Sequence, residues 1–336
     1  MGHEVVEMFS VRKAPWHLGM KGGTTEDQTH VLKEYPGREE AMKLAGHFPI
    51  AEGPVFSGPG QRIIGFKRLF NADTDKTVFV VQAGYEVIQS SELWDLTEAI
   101  LDTQDVKWET AGTLAEGRVM WTLARVDKPF FITGDDSPIY PFVAASTTHD
   151  GKGSMKVQNL QTRIVCMNTH HAAERETGET GREFTFRHVK GVHNRIEQAK
   201  KILAGAEKRA SDFQELGEEL VKMSLSDEGI EKFVTEFLPA PSKNIISKKV
   251  QENIENERDK VRGLFYHSLT VNENIRNTGY GAFQVGVEYL DHLRTYKTNA
   301  TYLRRTLLRP EPFKAKLVPL IKRIVAEEEK KVVVTV

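Results

Sequence analysis

The chain has 336 residues, with 46 Lys and Arg against 47 Asp and Glu and a formal net charge of −1, so a uniformly basic surface is excluded while a basic stripe set against an acidic face is not. One cysteine excludes an internal disulfide, no apolar run reaches the ~18 residues of a membrane helix, and no signal-peptide pattern opens the sequence. A cytoplasmic protein of two domains, or of one domain with a sizeable extension, is expected.

In chain order, residues 1–60 read as loop-rich. "APWHLGMKGG" and "EGPVFSGPGQ" are punctuated by Gly and Pro, with a helix over about 38–47 between them. From residue 61 to 187, short runs rich in Val, Ile, Phe and Trp alternate with Gly, Asp and Pro: "TVFVVQ", "YEVIQ", "VKWETAGTL", "RVMWTLARV", "PFFIT" and "IYPFVAAS". They predict an antiparallel meander. A hairpin turn is placed at Ala115-Glu116-Gly117, and Asp135-Asp136 ahead of Pro138 reads as another turn. "SSELWDLTEAIL" predicts a helix among the strands, with a serine cap, Asp95 as its capping acid, and Leu93, Leu96 and Ile100 on one face.

"THDGKG" is expected to form a tight turn or hairpin tip in which Gly151 and Gly153 allow positive φ, presenting Lys152 and Lys156 to solvent. "TRIVCMNTHHAAERE" is then expected to pack Ile164, Cys166 and Met167 into the core and to continue as a helix from Asn168 or Thr169. After Arg187 the apolar period lengthens to that of helices, through "HNRIEQAKKILAGAEKRASDFQELGEELVKM" and the later helical segments. The fold class is therefore α+β, an antiparallel meander with helices followed by a mostly helical region. The domains are placed at 1–60, 61–205 and 206–336.

Several chemistries compete with structural roles for the same residues. A thiolate nucleophile needs an electropositive, partly exposed setting, whereas Cys166 sits inside "RIVCM", where a small apolar residue suits a buried segment. Zinc could draw on His149, Cys166, His170, His171, His188 and His193, but the second ligand pair of a structural site is missing. No Walker A loop, dinucleotide turn, Gly-x-Ser-x-Gly or His-Glu-x-x-His is present. The sequence predicts no enzyme, no cofactor and no metal.

The basic residues point elsewhere. "RHVKGVHNRIEQAKK" holds Arg187, Lys190, Arg195, Lys200 and Lys201 against the single acid Glu197, and the stretch from Asp212 to Glu236 is strongly acidic. A second basic stretch interleaves Arg294, Lys297, Arg304, Arg305, Arg309, Lys314, Lys316, Lys322 and Arg323 with Tyr296, Tyr302 and Phe313. Cations neutralise phosphates and aromatic faces stack on unpaired bases, so the composition suits single-stranded nucleic acid. For the second stretch a solvated helix face or a subunit contact is equally compatible. The candidate contacts are Lys152, Lys156, Arg163, Arg187, Lys190, Arg195, Lys200 and Lys201, with a structural ion pair as the alternative for Arg163.

"APWHLGM", "YEVIQSSELWDL", "WETAGTLAEGRVMWTLAR", "STTHDGKGSMKVQNLQTRIVCMNTHHAA", "FRHVKGVHNRIEQAKKIL" and "NTGYGAFQVGVEYLDH" together resemble the phage/plasmid-like protein family defined by domain of unknown function 932. The resemblance covers nearly the whole chain and supplies no activity. The order of hairpin, Asp-Gly turn and helix also looks like the β-β-β-α core of phage single-strand annealing proteins. That likeness implies a homo-oligomeric ring or filament that holds single-stranded DNA in a basic groove without ATP, inside the bacterial host. The alternative is a non-catalytic phage assembly or host-interaction protein whose basic helices meet acidic partners.

Overall fold

The computed structural model describes residues 5–11, 29–101, 106–163, 168–171, 183–188, 210–240, 247–268, 270–297, 301, 305 and 312–334. Among them the strands are β1 (Val5–Val11), β2 (Thr29–Leu32), β3 (Ile50–Phe56), β4 (Arg62–Asn71), β5 (Thr77–Gln82), β6 (Lys107–Leu114), β7 (Val119–Arg125), β8 (Phe130–Ile132), β9 (Asp135–Thr148), β10 (Ser154–Arg163), β11 (Asn168–His171) and β12 (Glu183–Arg187). The helices are α1 (Arg38–Leu44), α2 (Ser90–Leu101), α3 (described over 210–221), α4 (Asp227–Phe237), α5 (Lys248–His267), α6 (Glu273–Arg276), α7 (Gly279–Glu288) and α8 (Pro312–Val334). A π-turn, Tyr289–Leu293, extends α7.

The main sheet has nine strands in the order β11-β10-β9-β7-β6-β1-β2, with β12 also on β10 and β8 also on β9. All of its pairings are antiparallel except β1 with β2. The central strands β6 and β7 and residues 141–147 of β9 are covered on both faces, which is why these stretches are mostly apolar or small instead of alternating. One face meets α1 and α2 over a core of Phe9, Trp94, Trp108, Met120, Val143 and Val157, with the Trp94 and Trp108 rings edge-to-face at 4.3 Å between centroids. The other face buries Met8, Trp121, Leu123, Phe142 and Leu160 with Tyr296.

The helices α3 to α8 close around Phe213, Phe233, Phe265, Tyr280, Leu317 and Ile321. Side-chain oxygens cap four of them: Ser226 accepts from the Gly229 N–H before α4, Ser247 from the Val250 N–H before α5, Asn272 from the Asn274 and Ile275 N–H groups before α6, and Thr278 from the Gly281 N–H before α7. This core also takes in Ile132 of β8 and Ile139 of β9. The Tyr280 hydroxyl donates to Asp135 at 3.1 Å and Asn272 Nδ2 donates to the Gly134 carbonyl at 3.1 Å. Sheet and helices therefore share one packed boundary. The α+β class, β-rich first and helical afterwards, stands as the sequence predicts.

Several expectations need correction. Residues 1–60 contain β1, β2 and β3, and β1 lies inside the main sheet between β2 and β6. The boundary after residue 60 would cut the turn of the β3–β4 hairpin, while the one after residue 205 lies outside the described residues. "YEVIQ" is not a strand: Tyr85 to Gln89 form an unladdered strap. Asp135 opens β9 instead of turning, and its carboxylate accepts from Ser137 N and Tyr280. The capping acid of α2 is Glu92, whose carboxylate accepts from Gln89 N at 2.6 Å, while Asp95 pairs with Arg38. Asn168 does not start a helix. Residues 168–171 pair antiparallel with β10, a tertiary pairing that overrides the local cap signal.

Candidate nucleic-acid interface

The β9–β10 turn is built by Asp150. Its Oδ1 accepts from the backbone N–H of Lys152 at 3.0 Å and of Gly153 at 2.6 Å, an Asx-type turn that leaves Lys152 exposed at the tip. Gly151 takes the positive φ of +73° expected of it. Gly153 is required for a different reason: it is not left-handed, but a Cβ there would lie 2.2 Å from the Thr148 Cβ.

Beyond the turn, β12 pairs with β10 so that Ser154 faces Arg187 and Lys156 faces Thr185. Strand residues two apart share a face. Lys156 and Arg187 therefore stand on one face, while Met155, Val157 and Phe186 go into the core on the other. Lys152, Lys156 and Arg187 thus gather at one corner of the sheet, with Lys152 and Arg187 exposed and Lys156 half-buried. Lys156 and Arg187 also interact within the chain.

Arg163 is not at this corner. It ends β10 seven residues past Lys156, about 23 Å along the strand, with its backbone paired to Ile139 and Asn168. The Arg163 side chain, Cys166, and Lys190, Arg195, Lys200 and Lys201 lie outside the described residues.

The corner is held by groups that sequence reasoning did not assign to it. His188, directly after Arg187, donates from Nδ1 to the Glu86 carbonyl at 2.9 Å, and its own carbonyl accepts from the Glu86 N–H at 3.0 Å. Tyr85 stacks on the His188 ring at 4.5 Å between centroids and donates from its hydroxyl to the Thr148 carbonyl at 2.9 Å. His149, directly before Asp150, donates from Nε2 to the Ile88 carbonyl at 3.0 Å. The strap from Tyr85 to Ile88 therefore latches both the β9–β10 turn and the end of β12. The one sequence signal for it is a pair of histidines adjoining charged residues at the ends of apolar strands.

The latch histidines are neutral donors. Burial, then the neighbouring His149, pushes His188 down to about 4, and burial lowers His149 as well. Nearby, His47 accepts from Trp94 Nε1–H at 3.0 Å, and its Nε2 donates to the Gly112 carbonyl at 3.0 Å. Burial holds His47 at about 4. With these ring nitrogens committed to backbone and tryptophan, His47, His149 and His188 are structural donors and acceptors. Among the described residues no three His, Cys, Asp or Glu side chains gather as a metal would require.

Part of the second basic stretch is engaged inside the helical region, while Tyr302, Arg304 and Arg309 lie outside the described residues. Lys314 is buried against Asp291 at 2.7 Å, Lys322 pairs with Glu219 at 2.7 Å, and Arg323 pairs with Glu236. Arg294 lies over the Phe313 ring at 4.5 Å, and Tyr296 is buried. These groups hold helices together, so the nucleic-acid reading of this stretch does not carry over to them. Trp108 and Trp121 are core residues.

The family described as "Domain of unknown function (DUF932)" matches residues 78–309, most of the chain, and the chain belongs to that family. The match runs from β5 through the strap and the cationic corner to the π-turn after α7, and stops short of α8. No curated protein and no solved structure matches the chain.

Proposed function

We propose that this member of the DUF932 family is a phage protein that binds and anneals single-stranded DNA in the host cytoplasm, as an oligomeric ring or filament and without ATP. The observation that carries the reading is the cationic corner: the register of β12 on β10 brings Arg187 back beside Lys152 and Lys156 at one edge of the sheet. Its chemistry is phosphate neutralisation, which depends on placed cations and needs no catalytic group or cofactor. The histidine latch suits that role because it fixes the cations relative to one another, so less conformational entropy is lost on binding. A second reading, a phage assembly or host-interaction protein, draws on the exposed apolar side chains Phe56, Ile63, Ile64 and Phe66 of β3 and β4.

The test follows the annealing of two complementary labelled oligonucleotides without nucleotide. The parent chain is expected to accelerate duplex formation, and Lys152→Ala/Lys156→Ala/Arg187→Ala is expected to lose most of that acceleration, as is Lys152→Ala alone in part, whose exposed side chain can go without a change in melting temperature. A parent chain that leaves the rate at its spontaneous value contradicts the proposal.

A further inference from the structure

The cationic corner neutralises phosphates, which single strands and duplexes share, so by itself it gives no preference for unpaired DNA. That preference needs aromatic faces open to the bases. Four aromatic side chains are exposed among the described residues: Phe56, Phe66, Phe131 and Tyr266. Phe131 lies beside Glu218 and the acidic α3, which repel a phosphate chain, and Tyr266 stands on α5 in the helical region. Phe56 and Phe66 have the opposite surroundings.

Both belong to a three-stranded sheet, β3-β4-β5, separate from the main one, and they are 56 % and 49 % exposed. Phe56 pairs across β3 and β4 with Arg62, which is exposed and whose guanidinium has no partner among the described residues. Lys67 and Arg68, further along β4, are already paired with Glu52 and Asp75 and add no free charge. Residues 53–72 contain no Asp or Glu.

This sheet reaches the corner. A Cβ at Gly151 would lie 3.4 Å from the Val81 Cγ1, so β5 runs against the β9–β10 turn that carries Lys152, whose ammonium also has no partner among the described residues. β5 is the edge strand of its sheet, and Gln82, next to Val81, pairs with Phe66 of β4. Since Val81 faces the turn, Gln82 and Phe66 stand on the other, solvent face. Phe66 is therefore one strand spacing, about 5 Å, in from the edge that meets the turn. A single strand held at Lys152 and passing over that edge comes to Phe66, and beyond it to Phe56 and Arg62.

We infer that Phe56 and Phe66 are the base-stacking residues of the DNA site, with Arg62 on an adjoining phosphate, and that they give the site its preference for single strands. Their role rests on the DNA reading of the proposed function and extends the site onto a second sheet.

The test is fluorescence anisotropy of the full-length chain with a labelled single-stranded oligonucleotide and with the duplex of the same sequence. Phe56→Leu/Phe66→Leu keeps the apolar surface and removes the ring faces. It is expected to weaken single-strand binding by about tenfold or more, and to leave duplex binding and the salt slope unchanged, because no cation is lost. Arg62→Gln should instead flatten the slope, by about 0.7. Both rings are exposed, so the circular-dichroism melt should not move. A leucine pair that binds the single strand as tightly as the parent overturns the proposal, as does one whose single-strand and duplex affinities fall together. A leucine pair that keeps its oligonucleotide affinity but loses self-association in sedimentation makes these rings a protein contact and overturns it too. Binding that survives the leucine pair but is lost in Lys152→Ala/Lys156→Ala/Arg187→Ala sinks this inference alone, whereas a parent chain that binds neither oligonucleotide sinks the proposed function with it.

Discussion

His47, His149 and His188 are neutral hydrogen-bonding parts of the fold, and their burial makes stability depend on pH in a definite direction. An unfolded chain protonates these rings near 6.5, whereas the folded state holds His47 and His188 at about 4. Between those values the unfolded state binds more protons, so stability is fully present above about pH 6.5 and is lost as pH falls toward about 4. The loss is on the order of 3 kcal/mol for each of these two groups. Urea unfolding at pH 7 and pH 4.5 checks it. His188→Asn, whose amide can still donate to the Glu86 carbonyl without titrating, should show a shallower pH dependence than the parent. Equal stability of the parent chain at both values would contradict the neutral latch.

The helical region turns on a buried ion pair between elements. Lys314 of α8 and Asp291 of the π-turn are 6 % and 3 % exposed and 2.7 Å apart. Removing one partner strands the other charge in the core, so Lys314→Ala or Asp291→Ala should cost about 3–5 kcal/mol. Replacing both by apolar residues of similar size, as in Lys314→Met/Asp291→Leu, should recover most of that loss, and denaturant midpoints of the three variants decide it. If the double variant is as unstable as the singles, packing rather than charge is the cause. Lys314 also shows what a sequence can convey at this scale. It reads as one more cation in a basic stretch, because the acid that neutralises it is 23 residues upstream and meets it only through the packing of two helices. The amphipathic helices and the doubly covered stretches of β6, β7 and β9 were legible, since burial leaves a local apolar pattern. Strands β1 and β11 were not, because pairing with distant strands decides their conformation. Strand β1 lies next to Gly- and Pro-rich sequence, and Asn168 has the chemistry of a helix cap.

For the molecule as a whole, the sequence showed which cations to consider but not which of them meet. Arg163 was grouped with Lys152 and Lys156 as a candidate contact, yet the length of β10 carries it away from them, while Arg187 returns to their corner through the β10–β12 register. Trp108 and Trp121 are buried, so quenching of tryptophan fluorescence is a poor reporter of base stacking here. Binding is best read from the phosphates, through fluorescence anisotropy of a labelled single-stranded oligonucleotide titrated with the full-length chain over a salt series. The parent chain should lose affinity linearly on a log-log plot, with a slope near −0.7 for each phosphate neutralised. Lys152→Ala/Lys156→Ala/Arg187→Ala should weaken binding and flatten that slope by about 0.7 for each phosphate left without its cation. A triple variant that binds as tightly as the parent with the same salt slope would contradict the assignment of DNA to this corner.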